Sequence, residues 1–90
     1  MLFVVLGSVK GSTSQERIER RLGWSYPEGI RPIAEYWLQT PHPNMILVAE
    51  ADDIAPIMAG NSQWDDLLDI TVVPAVAADQ GMKIAKQMMG

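Results

Sequence analysis

The sequence predicts an α+β fold, a four-stranded antiparallel sheet with two helices on one face and a helical tail behind it. Three observations predict it. Four short runs rich in aliphatic and aromatic residues have the length of strands, and two segments with apolar residues three and four apart have the period of helices. Along the chain they come as strand, helix, strand, strand, helix, strand, an order that commonly closes into one sheet with both helices on the same side. Ninety residues, 48% hydrophobic and 20% charged, fit one globular domain. A core of that size is marginally stable alone, and association with a partner is a common remedy.

The first strand is expected over Met1 to Leu6, where Phe3, Val4 and Val5 favour extended backbone. Its residues are apolar on both sides, which places it centrally in the sheet. Gly7 to Ser14 is rich in Gly, Ser and Thr and reads as a loop. Thr13 and Glu16 then have capping-box spacing, with Ser12 and Gln15 as a competing frame one residue earlier. The helix that follows, over Ser14 to Leu22, puts Ile18 and Leu22 on one face, with Gly23 as its C-terminal stop and arginines in its last turn. Trp24 to Pro32 carries Pro27, Gly29 and Pro32 and is a connection.

Ile33 to Leu38 and Met45 to Ala51 form a hairpin about Thr40-Pro41-His42-Pro43. A turn centred on Pro41-His42 sets Trp37 opposite Ile46 and Glu35 opposite Val48. One face then carries Ile33, Glu35, Trp37, Ile46, Val48 and Glu50; a slip of one residue regroups all of them. Asp53 is a good N-cap for a second helix, with Pro56 in its first turn, and Ile54, Ile57 and Met58 give a short apolar stripe. Gly60-Asn61 is expected to interrupt it, and Ser62 and Asp65 to start a further helical turn through Trp64, Leu67 and Leu68. Ile70 to Val76 is the last strand, with Pro74 arguing for a sheet edge or a strand end. Ala77 to Gly90 reads as a helix capped by Asp79, with Ile84 and Met88 on one face. The expected division is an α+β domain over residues 1-78 and a tail over 79-90.

The charges exclude some classes of partner. Net charge is -4, and between Pro32 and Met82 there are eight acidic residues and no Lys or Arg. Such a chain has no basic stripe for a phosphate backbone, so nucleic acid is not expected. There is no cysteine, which excludes disulfides and thiolate metal sites. The apolar start is far too short to span a bilayer, and no basic residue precedes it as in a signal peptide. A soluble, cytoplasmic protein with no membrane partner is expected.

A βαββαβ chain of this kind is ferredoxin-like, and both helices on one face leave the other face bare. A bare apolar sheet face marks an association surface. The reading is a homodimer, with a higher oligomer also open, whose sheets face each other around a shared cavity.

Several segments carry a resemblance: Pro27-Glu28-Gly29-Ile30, Glu35-Tyr36-Trp37, Ala49-Glu50-Ala51-Asp52-Asp53, Gln63-Trp64-Asp65-Asp66-Leu67 and Thr71-Val72-Val73-Pro74-Ala75-Val76. Together they resemble an uncharacterised domain-of-unknown-function family of short proteins within the dimeric α+β barrel superfamily, over roughly residues 1 to 78. The resemblance implies the fold and dimerisation; the family itself carries no established activity. The wider superfamily includes cofactor-independent monooxygenases, muconolactone-isomerase-like enzymes, haem-degrading and peroxide-using members, and proteins with no known catalysis. No catalytic motif of these matches here residue by residue, and Thr40-Pro41-His42-Pro43 departs from the more acidic turn expected of the family.

Glu35 and Glu50 are the candidate catalytic residues, since a carboxylate beside apolar walls has a raised pKa and can act as acid or base. The bland alternative puts them at the sheet rim, in water or beside an arginine such as Arg31. Trp37, Tyr36 and His42 are the candidate ligand contacts. His42 is the only histidine, has no metal partner, and is read first as an exposed turn residue. Gly7-Ser8-Val9-Lys10-Gly11-Ser12 lies between strand and helix but lacks the spacing of a phosphate-binding loop. Trp64 is expected to anchor the second helix on the sheet, and Met82, Met88 and Met89 to give adaptable packing in a swapped or docked tail. No cofactor and no metal are expected. The favoured function is a dimer that binds a small apolar or aromatic molecule between its sheets. The alternative is a cofactor-independent monooxygenase or isomerase with one of the two glutamates as base.

Overall fold

The computed structural model describes residues 1–90. Its elements in chain order are β1 (Leu2–Val9), α1 (Ser14–Leu22), β2 (Arg31–Trp37), β3 (Met45–Glu50), α2 (Ala55–Ser62), β4 (Leu68–Ala75) and α3 (Ala78–Met89). The strands form one antiparallel sheet in the order β2-β3-β1-β4, the ferredoxin-like arrangement. The first strand is central as expected, and both edge strands carry a proline, Pro32 in β2 and Pro74 in β4, where a missing N–H does least harm.

β1 is longer than its apolar run. Gly7, Ser8 and Val9 continue the ladder opposite Ile70, Asp69 and Leu68, so the expected loop begins three residues late. Gly7 is buried, and a Cβ there would lie 3.3 Å from Met45 Cε and 3.4 Å from a Leu68 methyl. The glycine that suggested a loop is thus a position of close packing inside a strand.

α1 keeps its expected bounds, and the Thr13–Glu16 frame of the capping box is the one formed. In α2 the chain departs from expectation. The N-cap is Ile54, which makes no side-chain cap bond, and Asp53 stands one residue before it, accepting the Ala55 N–H at 2.8 Å; the helix runs through Gly60-Asn61, and no separate helix starts at Ser62. Gly60 is buried against Pro27 and Ile30, so packing holds it in a helix that its intrinsic propensity opposes. Residues 63–67 form turns, and β4 starts at Leu68. In α3 the cap is Ala77, and Asp79 sits inside the first turn instead of capping it.

The hairpin register is one residue from the expected one. Trp37 pairs with Met45, Tyr36 with Ile46, Glu35 with Leu47 and Ala34 with Val48. The cause is the turn: Leu38 N–H donates to the Asn44 carbonyl at 2.8 Å, which centres the loop on Pro41 alone. A bulge at Ile33, between the Pro32 and Ala34 pairs, shifts the register once more, so Arg31 pairs with Glu50.

Phe3, Val5, Leu47, Ala49, Ala51 and Ile57 form the core between the sheet and the helices. Only ten of the ninety residues are buried, and α1 and α3 bury none of theirs. The radius of gyration is 15.0 Å, against about 12 Å for a compact chain of this length, so much of the surface that folding could cover stays open. No helix is long and apolar enough to cross a membrane.

Candidate functional site

The register decides which face each candidate occupies. Residues directly opposite share a face, so Glu35 and Trp37 lie with Leu47 and Met45 on the helix side. Ala34, Tyr36, Ile46, Val48 and Glu50 lie on the bare side. The expected grouping of Glu35, Trp37 and Glu50 on one face is therefore corrected: Glu50 is separated from the other two by the thickness of the sheet.

On the helix side a cleft of about 440 Å³ opens between α1 and the sheet. It lies there because α1 stands off the strands: Ile18, the apolar centre of its inner face, remains 46% exposed and forms one wall. Val5, Leu47 and Ile70 make the floor, Ile57 and Gly60 of α2 one end, and the turn at Leu38 to Pro41 the rim. Trp24, Tyr26, Trp37 and Trp64 all reach its lining.

Glu35 is the polar centre of this cleft. Its Oε1 accepts the Tyr26 hydroxyl and, at 3.4 Å, Arg21 Nη2; its Oε2 accepts Trp37 Nε1 at 2.7 Å and Arg21 Nε at 3.4 Å. The Glu35 side chain is 21% exposed. Burial pushes its carboxyl up, but the hydrogen bonds from Tyr26, Trp37 and Arg21 outweigh burial and hold it below its ordinary value. The same contacts act on the partners. Burial, then the bond to Glu35, pushes the Tyr26 phenol up to about 12, and the bond to Glu35 raises Arg21. The expected raised carboxylate is thus reversed at Glu35: four donors on two oxygens leave it ionised, with its roughly four lone-pair sites already taken.

Arg21 also stacks on the rings of Trp24 and Tyr26, 5.5 and 5.4 Å from their centroids. Trp24 meets Tyr26 and Trp64 edge to face at 5.0 and 5.7 Å, and its Nε1 donates to Gln63 Oε1. Arg20 lies over Trp64 and holds Asp66 through two N–H groups, at 2.8 and 2.9 Å. Trp64 therefore joins the turn after α2 to α1 and to the connection, where an anchor on the sheet was expected. The Asn44 Oδ1 is buried beside the cleft without a hydrogen-bond partner.

The remaining candidates lie elsewhere. Tyr36 is 59% exposed on the bare face, and His42 is exposed in the turn outside the cleft. Glu50 is half-exposed, 3.4 Å from the Met1 ammonium, and Arg31 pairs with Asp52. Sequence reasoning missed Arg21 and Tyr26 as neighbours of Glu35. Nothing local announces them, because α1 and the Trp24 to Pro32 connection are brought to β2 only by the tertiary crossing. No group of histidine, aspartate and glutamate side chains is placed to hold a metal ion.

Compared with known proteins, a family model described as Domain of unknown function (DUF3303) matches residues 1–89. No curated protein and no solved structure matches the chain.

Proposed function

The chain belongs to the family described as Domain of unknown function (DUF3303), and from that premise we propose that it is a small-molecule-binding protein whose ligand lies in the cleft between α1 and the sheet. The observation that carries this reading is the cleft itself. Its volume falls within the range of about 300–1,000 Å³ of small-ligand pockets, with mostly apolar walls and a few fixed polar groups. Glu35, Tyr26, Trp37 and Arg21 supply that fixed polar wall. The alternative, a cofactor-independent oxygenase or isomerase with Glu35 as base, has against it a carboxylate already saturated with donors and held below its ordinary pKa. Glu50, half-exposed on the other face, supplies no base to this cleft.

Native mass spectrometry of protein purified from its source cells tests the binding reading. A retained small molecule, lost from a Trp37→Ala variant, is the expected result. Ligand-free protein that also fails to take up aromatic probes in titration calorimetry would sink it.

A second copy of the chain is the partner we propose, for a separate reason. On the bare face Leu2, Val4, Leu6, Ile46, Val48 and Val73 form a continuous apolar surface with no helix over it. A surface of that kind supports sheet-to-sheet dimerisation. Light scattering at micromolar concentration checks it: twice 9.9 kDa is expected, and a mass near 9.9 kDa rejects the dimer.

A further inference from the structure

The charges inside the cleft do not cancel. Three charged side chains line it: Arg17, Arg21 and Glu35. Arg21 and Glu35 neutralise each other at 3.4 Å. Arg17 belongs to none of the five ion pairs of the molecule, which engage Lys10, Arg20, Arg21, Arg31 and the Met1 ammonium. Its contacts are neutral: Nη1 donates to the Ser12 carbonyl at 2.8 Å and to the Ser12 hydroxyl at 3.0 Å, and Nη2 to the Ser14 hydroxyl at 3.2 Å. Ser12 is itself held, its hydroxyl donating to the Leu67 carbonyl at 2.9 Å. The guanidinium is therefore half-buried and fixed in place, with three of its five N–H groups used and no anion beside it. A chain of net charge -4 keeps one uncompensated positive charge in this mostly apolar cleft.

We infer that the ligand of the cleft is a small aromatic monocarboxylate, its carboxylate taken by Arg17 and its ring by the apolar and aromatic walls. The inference rests on the binding reading above and names the ligand class for it. A planar carboxylate matches the planar guanidinium fork, and a charge-assisted hydrogen bond is stronger than a neutral one. One free cation asks for one negative charge. A dianion such as a phosphate monoester leaves an excess charge against Ile18, Val5 and Leu47, and burial of an unpaired charge is costly. A cationic ligand meets Arg17 with the same sign, and Glu35 has no vacant acceptor to offset that. The aromatic body follows from the four aromatic side chains that reach the lining, which favour edge-to-face and offset contacts with a ring.

Isothermal titration calorimetry with 2-naphthoate and its neutral isostere 2-naphthamide tests the assignment. In the wild-type protein the acid is expected to bind about tenfold more tightly than the amide, the size of effect typical of a hydrogen bond to a charged group. Arg17→Gln removes that preference, bringing the Kd of the acid to that of the amide, and an unchanged far-UV circular dichroism spectrum shows that the variant is folded. Arg17→Lys, which keeps the charge and loses the fork, retains part of it. Equal affinity of acid and amide in the wild type, or a preference that survives Arg17→Gln, overturns the monocarboxylate and leaves small-molecule binding standing. Failure of both probes to bind overturns the two together.

Discussion

The two faces of this sheet are built from alternate residues of the same strands, and they end in different surroundings. On the helix side Phe3, Val5 and Leu47 are almost wholly buried. On the other side Val4, Leu6, Ile46 and Val48 have the same chemistry and are only partly covered. Hydrophobicity in a strand says how much surface wants cover and nothing about what supplies it. On one face the chain supplies α1, α2 and the connection between α1 and β2, and incompletely enough to leave a cleft. On the other we propose a second copy.

The sharpest test of that contrast is a pair of truncations on neighbouring residues of one strand. Phe3→Ala on the covered face is expected to cost about 3–5 kcal/mol in urea denaturation, the usual cost of removing a buried aromatic ring. With a total stability of about 5–15 kcal/mol, a chain with ten buried residues has little margin for that loss. Val4→Ala on the bare face breaks the comparison if it costs as much in a monomer. In a dimer its cost grows with protein concentration, because the folded and associated states are linked.

Next in size is a charge placed on the bare face. Val48→Asp puts an unpaired carboxylate in the middle of the apolar surface. The expected outcome is a light-scattering mass that falls from the dimer to the monomer, with the cleft and its probe binding intact. A dimer that survives Val48→Asp places its interface elsewhere on the molecule.

Smaller again is the removal of the Glu35 charge. Glu35→Gln leaves the half-buried Arg21 without its anion and is expected to cost about 1–2 kcal/mol at pH 7. The pH dependence has a definite sign. The folded-state pKa of Glu35 lies below its ordinary 4.5, so its ionisation stabilises the fold above about pH 4.5 and that contribution is lost as pH falls through the depressed value. The gap between wild type and Glu35→Gln should therefore close on acidification below pH 4.5, since a protonated glutamate resembles glutamine. A gap that stays constant from pH 7 to pH 3 rejects the account of Glu35 as an ionised acceptor.

Most of the scaffold was legible in the sequence, because local rules decide it. Thr13 and Glu16 announce the start of α1, Gly23 its end, Pro74 an edge strand, and the order of apolar runs the sheet. What failed to be legible depended on contacts between distant residues. Gly7 and Gly60 read as breakers, yet one lies inside a strand, with Met45 packed where a side chain would stand, and the other inside a helix, buried against Pro27 and Ile30. The hairpin register turned on one hydrogen bond, from Leu38 to Asn44, and on a bulge at Ile33 that no residue type announces. That single step moved Glu35 and Trp37 to the helix side. It also made Arg21 and Tyr26 the partners of Glu35, where the sequence offered only Arg31.

Glu50 completes the comparison with the smallest expected effect. It belongs to the same hairpin as Glu35 and reads alike in sequence, a carboxylate among strand residues. In the fold its carboxylate is half-exposed, 3.4 Å from a more exposed ammonium at Met1. Exposed pairs of this kind contribute about 0–1 kcal/mol, because water screens the attraction and ordering the two groups costs entropy. Glu50→Gln should therefore change urea stability by less than about 0.5 kcal/mol, and the change should shrink further in high salt. The contrast carries more weight than either value. Two glutamates in one hairpin, one on each face, should differ severalfold in what their charge is worth. A Glu50→Gln cost equal to that of Glu35→Gln would mean that Glu50 is buried in the associated protein, and would place the dimer interface at the Leu2–Glu50–Arg31 end of the bare face.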